Sequence, residues 1–496
     1  MGLLVGDVIR HAARVAPDDL AATLGDEEVT FAQVDARANQ VAHVLASLGV
    51  GHQDRVAWWS ETTLDAMAIF AALAKIGAIF MPVNARLGTG EAAEVVAYAK
   101  PHLLVVDAAH HSLVEGWDVP TVAHEELFAA ADGASADDVV APLLGERDTH
   151  VIFFTSGSTG RSKGVVLSHR TSFLRSFPNL LTDHTGGTVC MFPLFHMAGW
   201  SMTLNAWQQR CPVHLVATPD AHSLLSTAAR RRASRLYHIP AVWKRVLEHD
   251  RSGYDLSAVR ECDTGTSATP PEMLTAIKQA FPGTVTRIYY GSTEAGPATL
   301  LGDAALTRKP GSVGRPAVTV DVRLDDDGEV CVRSEFLLDG YFEDPDATAA
   351  ALTPLDPDGP LWYRTGDLGV LDDEGFLSII GRARDVLRTG GETVAPGEVE
   401  AVVGDHPAVA EVAVVGLPDP DWGEIVCAVL VLADGARPPS PDDLRSHCEG
   451  RLASFKHPRR IVVVASLPRT AATGQVQRTL LVERLDGAAK PPGAST

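Results

Sequence analysis

Residues 150–155 read HVIFFT, and this run leads directly into TSGSTGRSKG at 155–164. A run so short and so apolar on both faces suits a strand covered on both sides, as in a parallel sheet between helices. The same kind of run recurs as VAWWS at 56–60, AIFMPVN at 78–84 and LLVVD at 103–107. Segments with apolar residues at helical spacing alternate with them: 31–48, stopped by Gly49, lies before the first run, and 63–75 lies between the first two. Alternating strands and helices predict an α/β fold.

After about residue 310 the pattern changes. Residues 318–334 read as two alternating strands around the acidic turn at 325–328, and 369–382 repeat the design around DDEG. Beyond 385 the reading is α+β, with helices near 396–403 and 441–452 and strands at 409–416 and 426–432. The expectation is a large N-terminal domain of parallel sheets and helices, 1–384. It carries a small β-rich subdomain at about 310–384, and a small mobile α+β C-terminal domain follows at 385–496. A chain of 496 residues is in any case too long for one core.

The net charge of −21 repels phosphate backbones, which argues against nucleic acid as a partner. The longest apolar stretch, 66–83, contains Lys75, Gly77 and Pro82 and reads as a core helix and strand, not a membrane span. None of the six cysteines forms a CxxC pair, and the first residues read as a helix without the basic start of a signal peptide. A cytoplasmic protein, monomer or homodimer, is expected, with residues 487–496 as a frayed tail.

In TSGSTGRSKG, backbone N–H groups and hydroxyls of Thr155, Ser156, Gly157, Ser158, Thr159 and Gly160 would form an anion nest, and Lys163 adds a positive charge for a phosphate. The spacing does not fit GxxxxGK[ST], so this is not a Walker A loop.

With FPLFHMAG at 192–199, YYGSTEAG at 289–296, YRTGD at 363–367 and GRARDVLRTGGETVAPGEVE at 381–400, the loop resembles the ANL superfamily of adenylate-forming enzymes, specifically an AMP-forming acyl-CoA synthetase. The motifs occur in the family's order over nearly the whole chain. The resemblance implies a small-molecule acid and ATP with Mg²⁺ as reactants, and CoA as the second substrate. Tyr290 would stack on adenine, Thr293 would touch the α-phosphate, Glu294 would hold the metal, and Asp367 would accept bonds from the ribose, with Arg382 beside the nucleotide. His196 would gate an acid pocket formed with Trp200, Thr264, Gly265, Thr266, Ser267, Gly291 and Ser292. Asp385 would be the hinge for a domain rotation between two half-reactions, and Gly390 and Gly391 would let the pantetheine arm pass close to the backbone.

Two departures from the pattern stand out. The family's C-terminal PxxxxGK carries a lysine that acts in adenylation, but here LPRTAATGQVQR places Gln475 at that position. Loss of one preorganised donor of this kind costs about 3–4 kcal/mol. Lys456 sits in its own FKHPRR segment, and Arg478 would face elsewhere. Thr266 also replaces a glycine beside the carboxylate pocket. Besides the acid–CoA ligase, two readings therefore stay open. One is an adenylating enzyme of specialised metabolism with an unusual acid, such as an ATP-dependent diazotase using nitrite and an arylamine. The other is a pseudoenzyme that binds nucleotide or acid, although the intact Lys163, Glu294, Asp367 and Arg382 argue against it. For the ligase, Gln475→Lys is expected to raise the rate of adenylation, measured as pyrophosphate release; a variant no faster than the parent would mean that Gln475 is adapted to another reaction.

Overall fold

The apolar runs form strands buried along nearly their whole length. In the computed structural model, residues 2–155, 162–177, 186–389, 392–469 and 476–489 are described. They fall into two compact units. The first comprises residues up to Pro310, Gly314–Asp321 and Val332–Tyr363; the second comprises Gly311–Val313, Val322–Cys331 and the chain from Arg364 onward. The division runs inside the β-rich segment.

The first unit contains a seven-stranded and a nine-stranded sheet. In the seven-stranded sheet Thr149–Thr155, Ile79–Val83, Arg55–Trp59, Leu103–Val106 and Thr121–Ala123 run parallel. Lys163–Ser168 and then Gly340–Tyr341 continue it antiparallel at one edge. In the nine-stranded sheet, Val285–Ser292, Glu261–Gly265, Arg235–Tyr237, Thr188–Cys190, Val213–Leu215 and Leu20–Leu24 are parallel neighbours in that order. Antiparallel strands close both of its ends.

Helix Met197–Gln208 ties the two sheets together. Its Trp200 stacks on Phe70 with ring centroids 3.8 Å apart, and its Trp207 Nε1–H donates to the Ala21 carbonyl at 3.0 Å. Helix Phe31–Ser47 starts at a capping box in which Thr30 and Gln33 satisfy each other's backbone N–H groups. The charge in the apolar 66–83 stretch is accounted for: the buried Lys75 ammonium donates to Asp35 Oδ1 at 2.6 Å and to Asn39 Oδ1 at 2.7 Å. Among the described residues no helix is long and apolar enough to cross a membrane.

In the second unit, Glu392–Val394, Leu387–Thr389, Gly423–Leu432 and Val409–Asp419 form an antiparallel sheet, and Arg460–Val463 joins it parallel to Gly423–Leu432. The sheet is covered on both faces. Val399, Val403 and Leu444 pack on one side, and Leu467, Leu481 and Leu485 on the other. The expected helix at 441–452 stops earlier, at Cys448, because Gly450 turns the chain at a φ of 73°. Helix Arg478–Ala489 reaches into the segment expected to be a frayed tail; its Leu481 and Leu485 belong to the core, and residues 490–496 lie outside the described residues. The two acidic hairpin turns form as expected, with Gly328 N–H donating to Asp325 O and Gly375 N–H to Asp372 O.

The first unit buries several neutral histidines. Burial pushes His169, His214 and His238 each down to about 4, from an ordinary value near 6.5. The unfolded chain then binds more protons than the folded one between about pH 6.5 and 4. Stability from this source is complete above pH 6.5 and is lost as pH falls, by about 2 kcal/mol per histidine at pH 5. Denaturant unfolding at pH 7 and pH 5 is expected to show the loss, and replacing His238 by Gln should shrink it.

Candidate active site

The stem of the Ser/Gly loop is a hairpin in which Thr155 pairs with Lys163. Ser156, Gly157, Ser158, Thr159 and Gly160 lie outside the described residues. Gly164 permits close packing, since a Cβ there would sit 3.0 Å from both the Ile152 and the Phe342 side chains. This close approach lets Gly340–Tyr341 lie along the strand, with Tyr341 opposite Val165 and Phe342 N–H donating to Gly164 O at 2.8 Å. The register carries the Lys163 ammonium over the Tyr341 ring, 4.8 Å from its centroid.

Thr293 and Glu294 occupy a tight turn between Val285–Ser292 and Gly296–Leu301. Gly296 adopts a φ of 67°, and a Cβ on Gly291 would lie 2.1 Å from the Gly296 carbonyl. Arg175 holds this turn from inside. Its guanidinium donates to Thr293 O and Glu294 O, both at 2.6 Å, and to Phe336 O at 2.7 Å. Burial pushes the arginine down to about 10, so it remains charged at neutral pH. With its carbonyl fixed, Glu294 presents its carboxylate to Tyr341, whose hydroxyl donates to Oε1 at 3.2 Å. Lys163, Tyr341 and Glu294 thus form one constellation. Glu294 fits the expected metal: Mg²⁺ on ATP needs only one or two protein carboxylates, and no larger cluster of His, Cys, Asp or Glu suited to a metal occurs among the described residues. Motif reading missed Arg175 and Tyr341. Arg175 lies on a short helix with no pattern of its own, and Tyr341 becomes informative only through strand pairing.

The residues expected around the acid gather at the C-terminal ends of parallel strands, where open α/β sheets bind ligands. A Cβ on Gly265 would lie 2.3 Å from Tyr289 O and 2.8 Å from the Tyr237 hydroxyl, so glycine there lets an aromatic wall close in. Phe192 packs edge-on against Tyr237 at 5.6 Å. Thr264 is buried, and Thr266 and Ser267 are exposed. Ser292 Oγ accepts the Ala295 N–H at 3.0 Å. His196 precedes helix Met197–Gln208. Burial and the Arg86 charge push it down to about 4, so the ring is neutral at physiological pH, and its Nε2 has no hydrogen-bond partner among the described residues. Trp200 is placed differently from expectation: its ring belongs to the core stack on Phe70 and Phe80, because the helix that carries it wedges inward.

Asp367 and Arg382 are in the second unit. They are cross-strand partners, with Arg382 Nε 2.7 Å from Asp367 Oδ1. Asp385 ends a single helical turn, Ala383–Asp385, and is 3.1 Å from Arg478. The second guanidinium nitrogen of Arg478 is 2.6 Å from Glu400. Lys456 pairs with Glu398. Gly390, Gly391 and Gln475 lie outside the described residues.

Thr266 adopts a φ of 66°, a left-handed conformation that a β-branched residue occupies only under strain, at about 1–3 kcal/mol. Glycine relieves this strain but adds backbone entropy to the unfolded chain. Thr266→Gly is therefore expected to stabilise the protein by about 1 kcal/mol, read by denaturant titration.

Comparison with known proteins agrees with this geometry. Residues 9–342 match the AMP-binding enzyme family, and residues 398–473 match the AMP-binding enzyme C-terminal domain. The long-chain-fatty-acid–CoA ligase FadD13 of Mycobacterium tuberculosis is 33% identical, over 97% of this chain and 98% of its own. The indoleacetate–CoA ligase of Aromatoleum aromaticum is 31% identical, over 95% of each chain. Among solved structures, the o-succinylbenzoate CoA synthetase of Bacillus subtilis in complex with ATP and magnesium ion superposes with a TM-score of 0.84 at 26% identity, covering 96% of this chain and 98% of that one. With family models matching residues 9–342 and 398–473, the chain belongs to the AMP-binding enzyme family, within the ANL superfamily of adenylate-forming enzymes.

Proposed function

We propose that this protein joins a carboxylic acid to CoA in two steps at the expense of ATP. The observation that carries the reading is the assembly of Lys163, Tyr341 and Glu294, a cation and a carboxylate set on one aromatic ring. In the first step an oxygen of the acid bonds to the α-phosphorus of ATP and the bond to pyrophosphate breaks, giving an acyl-adenylate. In the second, the thiol of CoA bonds to the acyl carbon, AMP leaves, and the thiol proton is released.

In this mechanism the Lys163 ammonium neutralises phosphate oxygens, Thr293 faces the α-phosphate, and Tyr290 stacks on the base. Glu294 would hold Mg²⁺, which supplies charge neutralisation on the phosphates. His196 is neutral, so it lines the acid channel without competing as a cation for the substrate carboxylate. Asp367 would serve the ribose and Asp385 the hinge. The aromatic wall of Phe192, Tyr237 and Tyr289 favours an aromatic or medium-length acyl group, and the exposed Thr266 beside it adds bulk and a hydroxyl at the reacting end. The ligase relatives support this reading; the nitrite-activating and nucleotide-binding-only readings gain no support from them.

The test is pyrophosphate release against a panel of aromatic and aliphatic acids plus nitrite, with and without CoA. Release with a carboxylic acid, and formation of the acyl-CoA when CoA is present, is expected. Release with nitrite and an arylamine, independent of CoA, would overturn the proposal, as would ATP binding with no turnover on any acid.

A further inference from the structure

Tyr341 touches both charged groups of the phosphate site, and its own hydrogen bonds have a fixed direction. An ionised carboxylate only accepts, so the Tyr341 hydroxyl must donate its single proton to Glu294 Oε1, 3.2 Å away. Lys163, Tyr341 and Glu294 all belong to the first unit.

We propose that Tyr341 is a positioning residue that sets the metal carboxylate and the phosphate lysine together: its hydroxyl engages Glu294 Oε1 and leaves Oε2 for a divalent cation, while its ring face steers the Lys163 ammonium. A contact of 3.2 Å is at the long end for a hydroxyl donor, so it orients the carboxylate without neutralising it. The 4.8 Å contact under Lys163 lies within the range of a cation–π interaction and restricts a long, mobile side chain. The strand pairing of Tyr341 with Val165 fixes the ring between the two groups. This assignment rests on the proposed nucleotide site, but not on the identity of the acid or on CoA.

The test is equilibrium binding of an ATP analogue with a methylene bridge between the α- and β-phosphorus, measured by calorimetry on the full chain with Mg²⁺ or with EDTA. No acid is present, so turnover plays no part. Tyr341→Phe keeps the ring and removes the donor. It is expected to bind the metal-free analogue within twofold of the parent, and to lose about fivefold of the strengthening that Mg²⁺ confers. Tyr341→Leu removes the ring as well, and metal-free binding should weaken about threefold further. If Tyr341→Phe shows the parent's Mg²⁺ dependence, the hydroxyl has no role and the proposal falls even where Tyr341→Leu does not fold. If the parent does not bind the analogue at all, the nucleotide site itself is wrong. If the analogue binds as expected and no acid releases pyrophosphate, the proposed reaction fails while the positioning role stands.

Discussion

Much of the site depends on one buried cation. Arg175 spends its donors on three carbonyls, Thr293, Glu294 and Phe336, with the charges of Asp339 and Glu294 nearby. A guanidinium is tolerated in an interior only when its donors are satisfied, so the clamp holds all three carbonyls or none. This requirement dictates local sequence. A Cβ on Gly296 would lie 3.1 Å from Arg175 Nε and 3.2 Å from the Phe336 ring, so the turn carrying Thr293 and Glu294 closes on glycine. From Phe336 the chain runs on to Asp339, whose carboxylate accepts the Ser168 N–H at 2.6 Å and whose N–H donates to Val166 O. That stitching sets the register of Gly340 and Tyr341 against the strand that starts at Lys163. The positions of Glu294 and Lys163 are thus consequences of the same buried arginine.

A second buried charge cluster supports the strands that carry the residues expected around the acid. In the three parallel strands, Arg235 pairs with Glu261, Asp263 with Tyr237 and Arg287, and Gly265 with Tyr289. Alternation along a strand places these residues on one face. Asp263 accepts from Arg235 at 2.6 Å and from Arg287 at 2.8 Å. Further along the same face the ions give way to Tyr237, Tyr289 and the bare backbone of Gly265. Both guanidinium groups sit within 6 Å of the Tyr289 ring centroid. The ion pairs fix the strands where packing of small side chains would leave them free to shift, and the aromatic wall inherits that rigidity.

The sequence made the α/β class, the parallel strands and the two acidic hairpins readable, because these depend on periodicity and turn residues that act over a few positions. Glu294 and Lys163 were readable as motifs. Arg175, Tyr341 and Asp263 were not, since each gains its meaning from strand register or from carbonyls brought in by distant segments. Trp200 shows how packing adds what a motif does not carry. Beside His196, the expected gate, it reads from the sequence as pocket wall, and helix Met197–Gln208 turns it onto Phe70. Helix Arg478–Ala489 escaped notice because two leucines on the far face of a sheet leave only a weak helical pattern, and tertiary packing supplies the rest.

The replacement of lysine by Gln475 sharpens what the remaining cations must do. Three cations of the second unit are paired, and the first is Arg469, 2.6 Å from Glu411. Lys456 pairs with Glu398. Arg478 bridges Asp385 and Glu400, and its Nε also donates to the Val414 carbonyl at 3.3 Å. Releasing Arg478 would leave two partly buried carboxylates and a carbonyl without their donor, a cost that disfavours its use as a mobile catalytic cation. The same bridge links the expected hinge residue to helix Pro396–Gly404 and to strand Val409–Asp419, so Arg478 reads as part of the hinge framework. In the proposed reaction, charge developing between the acid and the α-phosphate must then be met chiefly from the first unit, by Lys163 and the cation that Glu294 would hold. An enzyme with one fewer mobile positive charge gains more from holding its remaining lysine in place, which is what the ring of Tyr341 does beneath Lys163.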